Sequence, residues 1–142
     1  MPDRSALQSI NLDVDALDWG PAEAFYGPAA TVDGRRLVHL KILSDRRRDG
    51  GGIAWLVRFT PPPGKLLKIV AVARSDEHIW TLTGGRGTKT GEVRRGPGTY
   101  GLNPTGKPHS AFIGSDTEAL IVYTGEPDEV TALELVDKAD PA

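Results

Sequence analysis

Between Arg36 and Thr124 apolar and polar side chains alternate with a period of two, in short runs cut by glycine and proline. That period marks strands with one buried face, because successive side chains point to opposite sides of an extended backbone. Arg36 to Leu43 places Val38, Leu40 and Ile42 together, and Ile53 to Thr60 sets Ile53, Trp55, Val57 and Phe59 against Ala54, Leu56 and Arg58. SDRRRDGGG between them is polar and glycine-rich, as a hairpin connection requires. Pro61 to Gly64 (PPPG) ends the second run, since proline brings no N–H to a ladder. Leu66 to Ala73 (LLKIVAVA) is apolar on both faces and suits a buried strand, with the inward face left open. His78 to Thr83, a short run around Glu92 to Arg94, Tyr100 to Asn103 and Ala119 to Thr124 complete the series. Helix is indicated only at the ends, where Val130, Leu133 and Val136 recur every three residues; near the other end Leu12 and Val14 alternate as a strand would. The pattern predicts an all-β sandwich or barrel.

Composition narrows the class. With 142 residues, 39% hydrophobic and 25% charged, the chain predicts one domain with an ordinary core. A net charge of -2 gives no reason to expect nucleic acid or an anionic membrane as partner. No apolar run approaches the roughly 20 residues of a membrane span, and the first residues lack a signal-peptide core, so a cytoplasmic protein is expected. Without cysteine there is no disulfide, no thiolate metal site and no cysteine nucleophile. From Glu126 onward six acids face one lysine, which predicts a solvated acidic tail over residues 126–142. Arg46-Arg47-Arg48, flanked by aspartates, reads as a surface loop, and GGRGTKTG lacks the strand-to-helix setting of a phosphate loop and reads as a turn.

One motif carries more. Gly98 is followed after five residues by Pro104, then Thr105, Gly106, Lys107, Pro108 and His109. This spacing resembles the second motif of the cupin superfamily, although the asparagine that the family places four positions beyond the histidine is Ile113 here. Glu77, HIWTLT and Gly84 resemble the glutamate half of the first motif. The His-x-His half does not fit: the two possible registers fall on Ala71/Ala73 or Val70/Val72. KILSDRRRDGGGIAWLVRF followed by PPG looks most like small single-domain cupins related to anti-sigma-factor sensor domains and β-diketone-cleaving dioxygenases. The resemblance implies a double-stranded β-helix, or jelly-roll, barrel with a core of about 19–125, a strand-like arm at 9–14 and the acidic tail. It also implies a small-molecule ligand and a homodimer, the arm adding to a neighbour's sheet edge.

In the family three imidazoles and a carboxylate hold a divalent metal, and two of the four are missing here. The leading expectation is therefore a degenerate motif with no cofactor. Glu77 and His109 would act as an acid/base pair in a metal-free pocket, for cyclisation, isomerisation or dehydration of a polyketide-like intermediate. One alternative is a dioxygenase of the β-diketone-cleaving type, with iron or another divalent metal on Glu77, His109 and His39. A second is a ligand-sensing domain without catalysis; His109 on its own also reads as a vestigial residue held by local hydrogen bonds. Trp55, Trp80, Tyr100 and Phe112 are the candidate lining of a substrate pocket, and Arg58 and Lys68 would bind an anionic group if either points inward.

Overall fold

The computed structural model describes residues 8–140. In chain order its elements are β1 (Gly20–Pro21), α1 (Glu23–Tyr26), β2 (Thr31–Val32), β3 (Arg35–Arg36), β4 (Val38–Asp45), β5 (Ile53–Phe59) and β6 (Lys65–Val72). There follow β7 (Glu77–Thr83), β8 (Arg86–Gly87), β9 (Val93–Arg95), β10 (Tyr100–Asn103), β11 (Pro108–Ile113), β12 (Thr117–Tyr123) and β13 (Glu129–Asp137). One antiparallel sheet has the order β1-β4-β5-β12-β7-β10, the other β13-β6-β11-β8-β9, and β2 and β3 form a separate hairpin. The architecture is all-β, two antiparallel sheets enclosing a shared core.

The alternation in the sequence places that core. On β5, Ile53, Trp55, Val57 and Phe59 are all buried while their neighbours are half-exposed. Trp55 is 1% exposed and meets Phe25 of α1 and Tyr123 of β12 at ring-centroid distances of 4.9 and 5.1 Å. Burying one such side chain stabilises the fold by about 1.5–3 kcal/mol. On β6 the inward side is Leu67, Ile69 and Ala71, with Lys68, Val70 and Val72 alternating outward.

Three expectations are corrected. Within the acidic tail expected over residues 126–142, Glu129–Asp137 are no tail: they form β13, which lies along the whole of β6, from Glu129 opposite Val72 to Asp137 opposite Lys65. The three-residue recurrence of Val130 and Leu133 is no helix. The ladder shifts register between Val130 and Ala132, and one extra residue in a strand turns a spacing of two into three. At the other end, residues 9–13 form no strand, and Val14–Ala16 make a short 3-10 turn tied down by Lys41, whose Nζ donates to the Val14 carbonyl at 2.9 Å. The sequence pattern also passes over β11, whose inward positions His109, Ala111 and Ile113 follow a proline and alternate with Ser110 and Phe112.

Candidate metal centre

The motif loop is positioned before its histidine is. Gly98 and Gly106 have φ of 84° and 88°, the left-handed region that glycine enters without strain. Gly106 N–H donates to the Ala73 carbonyl at 2.7 Å, and Ala73 N–H donates to the Lys107 carbonyl at 3.1 Å. Asp76 accepts from the backbone N–H and the hydroxyl of Thr105 at 2.9 and 3.0 Å, which holds its carboxyl below the usual aspartate range. This turn delivers His109 to the start of β11, directly opposite Ala71 of β6. The inward register left open by the sequence is thus that of Ala71, which lines the cavity, with Ala73 buried just past the end of β6, and not that of Val70 and Val72.

Glu77 opens β7 on the facing sheet and is 3% exposed. Its two oxygens are oriented separately: Asn103 Nδ2 donates to Oε1 and Tyr123 Oη to Oε2, each at 2.8 Å. The third member comes from the supposed tail. Ser75 Oγ donates to the Glu126 carbonyl and Arg74 Nε to the Pro127 carbonyl, both at 2.7 Å. Those bonds fix the segment that turns Asp128 inward, where it is 6% exposed. His109 Nε2 lies 2.7 Å from Asp128 Oδ2 and 3.7 Å from Glu77 Oε1. One ligand atom from each residue falls within 4.8 Å of the others.

The electrostatics follow from burial and proximity. Removal from water pushes Glu77 above its ordinary value, with the Asp128 carboxylate adding to the rise against the bonds from Asn103 and Tyr123. His109 is raised above its ordinary value chiefly by its hydrogen bond to Asp128, while burial opposes. The cluster stands in the wall of a cavity of about 60 Å³ between the sheets, lined for the rest mostly by apolar side chains such as Ile69, Ile79, Ala111, Ile113 and Ile121, with Thr81, Thr117 and Arg86 among them.

The donor set is one imidazole and two carboxylates, which suits a divalent first-row ion and leaves coordination positions open. Asp128 Oδ1 is buried with no hydrogen-bond partner among the described residues, although an orphaned carboxylate oxygen is costly. An ion bound there would satisfy it. This corrects the expectation of a site with no cofactor: the two missing imidazoles do not empty the site, because Asp128 enters from the segment leading into β13, on the other side of β6.

No family model matches the chain, and no curated protein does. Solved structures do. A protein of unknown function with a cupin-like fold from Ralstonia eutropha is 18% identical, covering 92% of this chain and 79% of that one at a TM-score of 0.63. The fold is cupin-like. An acetylacetone dioxygenase from Acinetobacter johnsonii is 14% identical, with 90% of this chain and 85% of that one covered at a TM-score of 0.57. The polyketide cyclase RemF from Streptomyces resistomycificus is 17% identical, with 94% and 89% covered at a TM-score of 0.57. At such identities the likeness carries the fold and not the chemistry.

Within the cupin-like frame the other candidates are dispersed. Trp55 lines the cavity. Arg58 points away from it, donating from Nε to Glu118 Oε1 at 2.8 Å and stacking its guanidinium over the Trp19 ring at 4.6 Å. Lys68 sits 3.8 Å from Glu134 on the outer face of the second sheet, beside Phe112 of β11. Trp80 and Tyr100 are 54% and 57% exposed, paired across β7 and β10 on the outside of the first sheet. His39 shares a hydrogen bond with Thr60 Oγ1 at 3.0 Å on β4. That strand is three away from β7, or about 14 Å at the usual strand spacing, so His39 is not part of the cluster.

Proposed function

We propose that the chain is a metal-dependent small-molecule enzyme whose ion is held by Glu77, His109 and Asp128, and that it acts on a small 1,3-dicarbonyl compound in the manner of a dicarbonyl-cleaving oxygenase. The observation that carries this reading is the unpartnered, buried Oδ1 of Asp128, on a carboxylate that clusters with an imidazole and a second carboxylate. A divalent ion held there would polarise both oxygens of a dicarbonyl. The residues themselves do the rest. Asn103 and Tyr123 fix the rotamer of Glu77 and engage an oxygen each, as the partners of a ligating carboxylate do. The apolar wall excludes bulk water and strengthens every charge interaction inside. A cavity of about 60 Å³ favours a substrate of few heavy atoms over a multi-ring polyketide, since one water occupies ~10–15 Å³ on the same measure.

The test is elemental analysis of chain purified without chelator, followed by titration with iron(II) and zinc(II). Near-stoichiometric binding in the parent, lost in Asp128→Asn and in His109→Ala, is the expected result, with oxygen uptake when iron and a small 1,3-diketone are supplied. Stoichiometric binding that survives both substitutions would place the ion elsewhere and end this reading. Binding of the diketone without oxygen uptake would leave a ligand-binding domain.

A further inference from the structure

The cavity holds one more charged group, and none of the chemistry above uses it. Arg86 opens β8 and sends its side chain into the cavity shared with Glu77 and His109. Its Nε is buried without a hydrogen-bond partner, and no carboxylate lies within ion-pair distance of its guanidinium among the described residues. The contrast with Arg47 and Arg58 is direct, since both have an acidic partner within 3 Å. The guanidinium lies beside Gly101 of β10, where a Cβ would stand in ordinary contact, 3.5 Å from Nη2. Gly101 pairs with Ile79, two residues along β7 from Glu77, which puts the guanidinium about 7 Å from the level of the acidic cluster.

A guanidinium stays protonated under all ordinary conditions, so it cannot escape burial by neutralising. Glu77 offers it a favourable field. A divalent ion on the cluster would take that field away, because its two charges are met by Glu77 and Asp128, and the Arg86 charge is then uncompensated. A half-buried cation whose Nε is closed off from both water and partner is unfavourable, and its planar fork matches a carboxylate with two parallel N–H···O bonds.

We propose that Arg86 is the anchor for a carboxylate, and that the preferred substrate class is therefore a short-chain oxo acid spanning from Arg86 to the Glu77–His109–Asp128 cluster, bound more tightly than an uncharged diketone. The proposal deepens the metal-dependent reading and rests on it for the second attachment point. The aliphatic body of such an acid lies against Ile79 and Ile113, and the separation of about 7 Å limits it to a few carbons.

The experiment compares acetoacetate with acetoacetamide, which differ by a carboxylate against a neutral amide, by calorimetric titration into the zinc(II)-loaded full chain. Acetoacetate is expected to bind at least about tenfold more tightly than the amide, the usual scale of a hydrogen bond to a charged group. Arg86→Gln should erase that preference while leaving zinc affinity within about threefold of the parent, since Arg86 is not a ligand. Equal affinity for the two probes in the parent, or an unchanged preference in Arg86→Gln, overturns the proposal. Where Arg86→Gln fails to fold, the Arg86 Nε–H resonance of the parent is the readout: it should shift with acetoacetate and stay with acetoacetamide, and a still resonance overturns the anchor. Failure of the metal reading is seen separately, as absence of zinc uptake in the same samples, and the two probes are then compared in the metal-free chain.

Discussion

Asp128 changes what His109 can do. With only Glu77 near, at 3.7 Å, the imidazole would be loosely held; Asp128 at 2.7 Å fixes it and keeps its proton in the metal-free state. Both His109 and Glu77 bind a proton more firmly folded than unfolded, so their joint contribution to metal-free stability falls as pH rises from about 4.5 through their raised values. An incoming ion must displace the His109 proton, so its stabilising increment runs the other way and grows with pH. Thermal melts with and without zinc should show a larger zinc shift at about pH 7.5 than at about pH 5.5, and equal shifts would contradict the displacement. The zinc difference is the right measure because His39, lowered by burial and by Arg36, adds a pH dependence of opposite sign to the metal-free stability. Tyr123→Phe removes one orienting bond from Glu77 without touching a ligand atom, and should weaken zinc binding by about 10–100-fold. Glu77 and His109 were legible in the sequence because motif spacing singles them out. Asp128 was not, because it stands among other acids and only its buried placement distinguishes it; Arg86 likewise sat within a run that reads as a turn.

Strands, by contrast, were legible wherever one face is buried and the period is unbroken, as on β5. The period failed where tertiary pairing altered it. On β13 a single register shift between Val130 and Ala132 keeps Val130 and Leu133 both inward, although they stand three positions apart. Deleting Thr131 removes the extra residue and leaves Val130, Ala132 and Leu133 in plain alternation opposite Ala71, Val70 and Ile69, so every side chain keeps its face. Deleting Glu134 instead makes Leu133 and Leu135 adjacent, so one of them must turn outward. That should cost about 1.5–3 kcal/mol, read as a lower urea midpoint with an unchanged slope, while the Thr131 deletion stays close to the parent. Equal losses in the two variants would show that the shift does not set the register. β11 escaped notice for a related reason: its inward face begins with a histidine, so its burial pattern carries chemistry rather than hydrophobicity at the position that matters.

For the molecule as a whole, the outer face of the first sheet is the open question its surface poses. Trp80 and Leu82 of β7, Tyr100 and Leu102 of β10 and Val122 of β12 are all well exposed and stand side by side. An exposed apolar patch of this kind marks a contact surface more often than bare solvent. The expected homodimer is better served by this face than by residues 9–14, which form no strand. Light scattering should return about twice the chain mass, and Trp80→Lys should return the single chain with metal binding intact, since Trp80 points away from the cavity. A monomeric parent would remove the face as the source of a dimer.

The three acidic and imidazole side chains are drawn from the starts of β7 and β11 and from the residue before β13, the last strand. During synthesis, which runs from the N-terminus, Glu77 and His109 therefore emerge well before the residue that closes their triangle. Until Asp128 leaves the ribosome and β13 zips along β6, the nascent chain has only a two-point site. Metal capture would then coincide with completion of the second sheet, so that a chain cut short before residue 128 is born both unloaded and with β6 exposed along one edge.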